Sequence, residues 1–195
     1  MDTISPAKGG NIGEVTSTIF GTGFYSGTQV KLTRSGYPDI VVPDDLIQII
    51  HGQQIVATFN LINAATGFYD LVVDVPNDTI MTLSNAFEIE VGIQAEPYSE
   101  LVGFSSIRVG QYQNYSIVYG NKGNVDAIGV PIWLAVPQNV DVLILDSLSI
   151  YHPQDTFFNY DTIPLFVLID SLGGEPFDAK FYLSLIHISE PTRPY

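Results

Sequence analysis

Three histidines, 21 carboxylates, a glycine-rich loop and a scatter of tyrosines are the residues of this chain that could do chemistry. His51 adjoins Gly52 in a turn signal and His152 precedes Pro153, about a hundred residues away. A Ser–His–Asp relay needs its base beside a nucleophile, and the nucleophile-elbow pattern G-x-S-x-G does not occur. A zinc site needs three or four ligands, yet no H-E-x-x-H or other spaced histidine pair is present. With no cysteine there is no thiolate ligand, thiol nucleophile or disulfide framework. Asp44-Asp45, Asn77-Asp78 and Asn121/Asn124/Asp126 fall in turn-like stretches, where hard oxygen donors suit Ca²⁺. None completes the calcium-loop pattern, and Asx residues are also the ordinary residues of turns. Gly21, Gly23 and Gly27 miss the dinucleotide spacing, and no helix follows to receive a phosphate. No carboxylate pair is marked out for glycoside hydrolysis.

The aromatic residues offer binding chemistry instead. Tyr25, Tyr37, Tyr98, Tyr112 and Tyr160 lie near loops, where an apolar ring with a polar tip suits a carbohydrate or peptide ligand. Trp133 sits inside an apolar run and reads as core. Asn77-Asp78-Thr79 and Asn114-Tyr115-Ser116 match the glycosylation acceptor pattern, which chance also produces often. We therefore expect a non-enzymatic protein and assign no catalytic, cofactor-binding or metal-binding residue.

The elements that must position these groups are strands. In 54–61, Ile55, Ala57, Phe59 and Leu61 share one face, with Val56, Thr58 and Asn60 on the other. In 28–34, Val30 and Leu32 point inward and Lys31 outward; in 68–75, Tyr69, Leu71, Val73 and Val75 oppose Asp70 and Asp74. Such alternation marks half-buried antiparallel strands. Turn signals at Gly9-Gly10-Asn11, Ser35-Gly36, His51-Gly52 and Asn121-Lys122-Gly123-Asn124 separate the runs at short intervals, as in a β-sandwich. No stretch carries a helical stripe; Ala64-Ala65-Thr66 is expected to make one helical turn at most. Further strands are expected at 115–119, 130–136, 140–145 and 163–169.

A chain of 195 residues with 46% hydrophobic and 14% charged residues can bury one large core or two small ones. It is too apolar for a disordered acidic segment. Seven cations against 21 anions exclude the basic stripe that nucleic acid demands. No apolar run approaches the roughly 18 residues of a membrane span. The polar link Gln94-Ala95-Glu96-Pro97 sets a boundary near Gly92. The charge divides evenly about it: 1–92 and 93–183 each hold 3 basic and 10 acidic groups. The expected fold is all-β, two tandem immunoglobulin-like sandwiches at 1–92 and 93–183, the second truncated.

Several motifs in the first unit sharpen that expectation. Ile4-Ser5-Pro6 before Gly9-Gly10, the stretch Thr18-Ile19-Phe20-Gly21-Thr22-Gly23-Phe24, the run Gly67-Phe68-Tyr69 and the run Asn85-Ala86-Phe87-Glu88-Ile89 occur in order. Together they resemble the IPT/TIG family of immunoglobulin-like domains. In this reading Gly21 and Gly23 turn the chain between sheets and Phe24 seals the core. Residues 115–127 resemble a strand–turn–strand of extracellular bacterial sandwich modules. Residues 185–195 resemble a translated sequencing adaptor, so 184–195 are expected to be a non-native tail and His187 carries no argument. The resemblance implies a spacer or adhesion-type pair in a larger secreted or cell-surface bacterial protein, of which this sequence, lacking a signal peptide, is expected to be a fragment. Its partners would be neighbouring domains of the same chain, with a carbohydrate, a surface protein or a glycoside-processing domain as the alternative.

Overall fold

A computed structural model describes residues 1–76, 80–106, 108, 110–137, 140–143, 156–160 and 179–188. For Trp133, Pro137, 156–160 and 179–187 it describes the backbone alone. The described residues are almost entirely strand and turn, and none of their helices is long and apolar enough to cross a membrane. One compact unit holds Met1–Ala127, and Ile128–His187 form another.

Two sheets build the first unit. One has the order β1-β3-β7-β6, made of Thr3–Ser5, Glu14–Phe20, Gln54–Asn60 and Ile47–His51. The other has the order β2-β9-β8-β4-β5, made of Lys8–Gly10, Ile80–Glu90, Gly67–Asp74, Gln29–Thr33 and Ile40–Val41. Pairing is antiparallel except for β2 beside β9. The opening segment thus serves both sheets: β1 pairs with β3, and after the cis Ser5–Pro6 bond the chain crosses to β9.

The core lies between the sheets, because each strand turns its apolar alternates inward. Ile55, Ala57, Phe59 and Leu61 are fully buried, as are Val30, Leu32, Leu71 and Val73. Phe59 meets Phe87 across the gap at 5.6 Å between ring centroids. Gly23 takes φ +84° and Phe24 folds back into the core with 4% exposure, the structural use read from the sequence. Ala64-Ala65-Thr66, read as allowing one helical turn at most, forms none. That stretch is a turn with Asn63 at φ 61°, closed by Ala64 N–H on Leu61 O, and the one 3₁₀ turn among the described residues is Asp44–Leu46. At Asn85 (φ 51°), β9 bulges, and its N–H donates to Asp70 Oδ1 at 2.7 Å.

Beyond Gly92 the same unit continues as a hairpin, β10 (Pro97–Val102) antiparallel to β11 (Ser116–Asn121). A further sheet, of order β12-β14-β13, is made of Ala127–Pro137, Ala179–Ile188 and Thr156–Tyr160. Of the strand expected at 140–145, residues 140–143 are described and are not strand. The run 163–169, His152 and most of the expected tail lie outside the described residues; β14 includes 185–188.

Candidate functional site

Most of the sequence-level candidates stand apart from one another. His51 is exposed at the β6–β7 turn, where its Nδ1 accepts the Gln53 N–H at 3.2 Å. Asp44 and Asp45 lie in the 3₁₀ turn. Tyr25, Tyr37 and Tyr112 are exposed, Tyr112 almost completely at 96%. Tyr98 is half-buried, with Lys122 Nζ 5.7 Å over its ring. Tyr160 falls on β13 and Trp133 on β12, with their side chains outside the described set. Asn77 and Asp78 are outside it altogether. No group of three His, Asp or Glu side chains among the described residues is placed to hold a metal ion.

One set does converge: Asn121, Asn124 and Asp126. They lie at and just beyond the end of β11 and fold back onto the base of the first sandwich. The reason begins at β3. Strand β1 pairs only with its Thr18–Phe20 half, because the chain then leaves for the other sheet. The Glu14–Thr16 edge is left with backbone groups that need partners. Asp126 supplies them. Its N–H donates to Glu14 O at 2.8 Å, and its Oδ2 accepts the Thr16 N–H at 2.7 Å.

The two asparagines stitch the preceding link in the same way. A side-chain amide carries one acceptor and one donor group, so it can replace a strand neighbour. Asn124 Oδ1 accepts the Ile93 N–H at 2.6 Å, and its Nδ2 donates to Val91 O at 2.9 Å. The Asn124 backbone binds Gly10 N–H and Ile93 O. Asn121, only 1% exposed, accepts the Glu96 and Gly123 N–H groups on Oδ1 and donates from Nδ2 to Val125 O at 2.6 Å. Asn11 completes the joint, holding the Gly92 N–H at 3.0 Å and Ala64 O at 3.2 Å. Gly10, Gly13 and Gly92 permit the close approach: a Cβ on Gly10 would lie 2.0 Å from Asn124 Oδ1, and one on Gly92 2.3 Å from Ile12. Val125 packs against Gly13 and is buried.

This arrangement is a clasp of backbone mimics. Of the oxygens read as calcium donors, Asn121 Oδ1, Asn124 Oδ1 and Asp126 Oδ2 accept N–H groups and so act as acceptors within the fold. The expected boundary at Gly92 therefore lies under the clasp, and the hairpin β10–β11 is fastened to the first sandwich. No sequence signal separates this use of Asn from an ordinary turn. The chain matches no family model and no curated protein.

Proposed function

We propose that this chain is a non-enzymatic spacer module of a larger secreted or cell-surface bacterial protein, built from an IPT/TIG-like, immunoglobulin-like sandwich and a following sandwich-type unit. The clasp carries the reading. A linker meant to swing would expose its backbone to water, whereas Asn11, Asn121 and Asn124 engage Val91 O, the Gly92 N–H, the Ile93 N–H and O, and the Glu96 N–H. A joint stitched in this manner passes orientation from one segment of chain to the next, which is what a spacer must do. The sharing of the opening segment between the two sheets supports the immunoglobulin-like assignment. The acidic net charge of −14 suits units that remain soluble side by side. Partners in this reading are the neighbouring domains of the same longer chain.

Backbone ¹⁵N relaxation on the whole 195-residue chain tests it. Amides of β10 and β11 should tumble with those of β3 and β7. A separate, faster correlation time for the hairpin would refute a rigid joint.

A further inference from the structure

The outer edges of the sandwich are β1 and β6 on one sheet, β2 and β5 on the other. An open edge presents unpaired N–H and C=O groups, and three of these edges are blunted. β1 has three residues and runs into Pro6. β2 also has three; Lys8 meets Glu90 at 3.3 Å and the Gly10 N–H bonds Asn124 O. β5 has two, flanked by Pro38-Asp39 and Pro43-Asp44. β6 (Ile47–His51) is longer, and no strand lies beyond it among the described residues. The stretch 46–69 that contains it has no proline and no Asp, Glu, Lys or Arg.

The register shows which backbone groups face that edge. The Gly21 N–H bonds Gln53 O and the Leu61 N–H bonds Gly13 O, so the odd-numbered residues of β7 bond β3. Val56 therefore bonds its β6 neighbour Gln48, and Ile47 and Ile49 turn their backbone groups outward. Asp44 O already holds the Ile47 N–H. The Ile47 C=O and both groups of Ile49 are left to the edge, before a bulge between Ile49 and His51 ends the regular pairing. The side chains of Ile47 and Ile49 are half-buried against the core.

We propose that β6 is the contact surface for a second copy of this chain, paired antiparallel across a two-fold axis at Gln48. Each Ile49 N–H then donates to the partner's Ile47 C=O, and two four-stranded sheets become one continuous sheet. Charge favours a copy of the chain as the occupant. Self-pairing sets each side chain near the axis against its own counterpart, which a charged strand would not tolerate and neutral β6 does. Antiparallel direction also brings the His51 end of each strand to the end that Asp44 and Asp45 precede. His51 Nδ1 accepts the Gln53 N–H, which places the neutral ring's proton on Nε2, a donor for a carboxylate of the other copy. The net charge of −14 on each chain opposes association over longer range, so the pairing is weak and needs salt to screen it. β6 and the clasp lie at opposite sides of the same sheet, so a spacer can pair in this way without opening its joint.

Sedimentation equilibrium of the whole chain, from about 10 µM to 1 mM in about 0.15 M salt, tests this. A dimer with a dissociation constant of roughly 0.1 mM is expected of so short an edge. Over that range the Ile49 amide should exchange about fourfold more slowly as the dimer fills. Gln48→Lys and Gln48→Glu each set like charges across the axis. Each should weaken association roughly tenfold or more, and an equimolar mixture of the two should recover it as a heterodimer. Ile80→Lys, at an exposed position on the other sheet, should leave association unchanged. A chain that is monomeric at 1 mM, a dimer indifferent to Gln48→Lys, or a mixture no tighter than its components would overturn the assignment. So would an Ile49 amide already protected at 10 µM, which would mean that another segment of the same chain covers the edge.

Discussion

Replacing Asn121 by alanine isolates the clasp from the sandwich that it grips. The substitution removes three hydrogen bonds, to Glu96 N–H at 2.9 Å, Gly123 N–H at 3.0 Å and Val125 O at 2.6 Å, from a side chain with 1% exposure. A neutral hydrogen bond contributes about 1 kcal/mol net, and each buried group left without a partner costs about 1–3 kcal/mol. Some orphaned groups regain water when the alanine opens space, so the loss comes to about 3 kcal/mol. That is about a hundredfold in the opening equilibrium of the clasp. Native-state hydrogen exchange reads this directly. The informative amides are those whose own bonds the mutation leaves chemically intact: Lys122 on Glu96 O, Asn124 on Ile93 O and Asp126 on Glu14 O. They should exchange about a hundredfold faster, while amides of β3 and β7 inside the sandwich keep wild-type rates. Lys122→Ala is the control. It deletes an exposed ion pair with Glu96, 3.2 Å apart, and such pairs are worth under about 1 kcal/mol, so rates should move less than about fivefold. If Asn124 and Asp126 in Asn121→Ala exchange at the wild-type rate, the joint is held by something other than the amide clasp.

Two further substitutions probe the sandwich. Phe59→Ala empties a fully buried site against Phe87 and should cost about 3–5 kcal/mol in denaturant unfolding; a loss under about 1.5 kcal/mol would mean that the two sheets do not share this core. Gly67→Ala should cost about 2 kcal/mol or more, since strained backbone and a collision with Arg34 act together, whereas Gly36→Ala, at φ +83° with nothing within 4 Å, should cost about 1 kcal/mol; equal losses in the two would remove the steric argument.

The interior of the first sandwich was legible because it is written locally. Whether Phe59 faces in depends on residues two positions away, and the alternation of 54–61 and 68–75 needs no knowledge of the partner strand. The same local rule set Val56 and Thr58 on the opposite face without reporting that they are covered. Both sit on the outward face and are nonetheless buried, Thr58 sharing a hydroxyl hydrogen bond with the equally buried Thr16. Thr16 in turn takes its backbone acceptor from Asp126, 110 residues along the chain, and no periodicity reports on a partner that distant.

The asparagines show a second limit. Residue type alone gave Asn121, Asn124 and Asp126 two readings, turn formers or hard-oxygen ligands, since both uses rest on the same oxygens. What decides between them is a vacancy elsewhere: β1 abandons β3 after three pairs, and the exposed edge must find acceptors and donors. That vacancy arises because the opening segment divides between two sheets, a property of topology that the spacing of residues 121–126 does not contain. Side-chain chemistry was readable along the chain, but which groups meet was set by where strands end, and it is where β1 leaves β3 that the clasp is found.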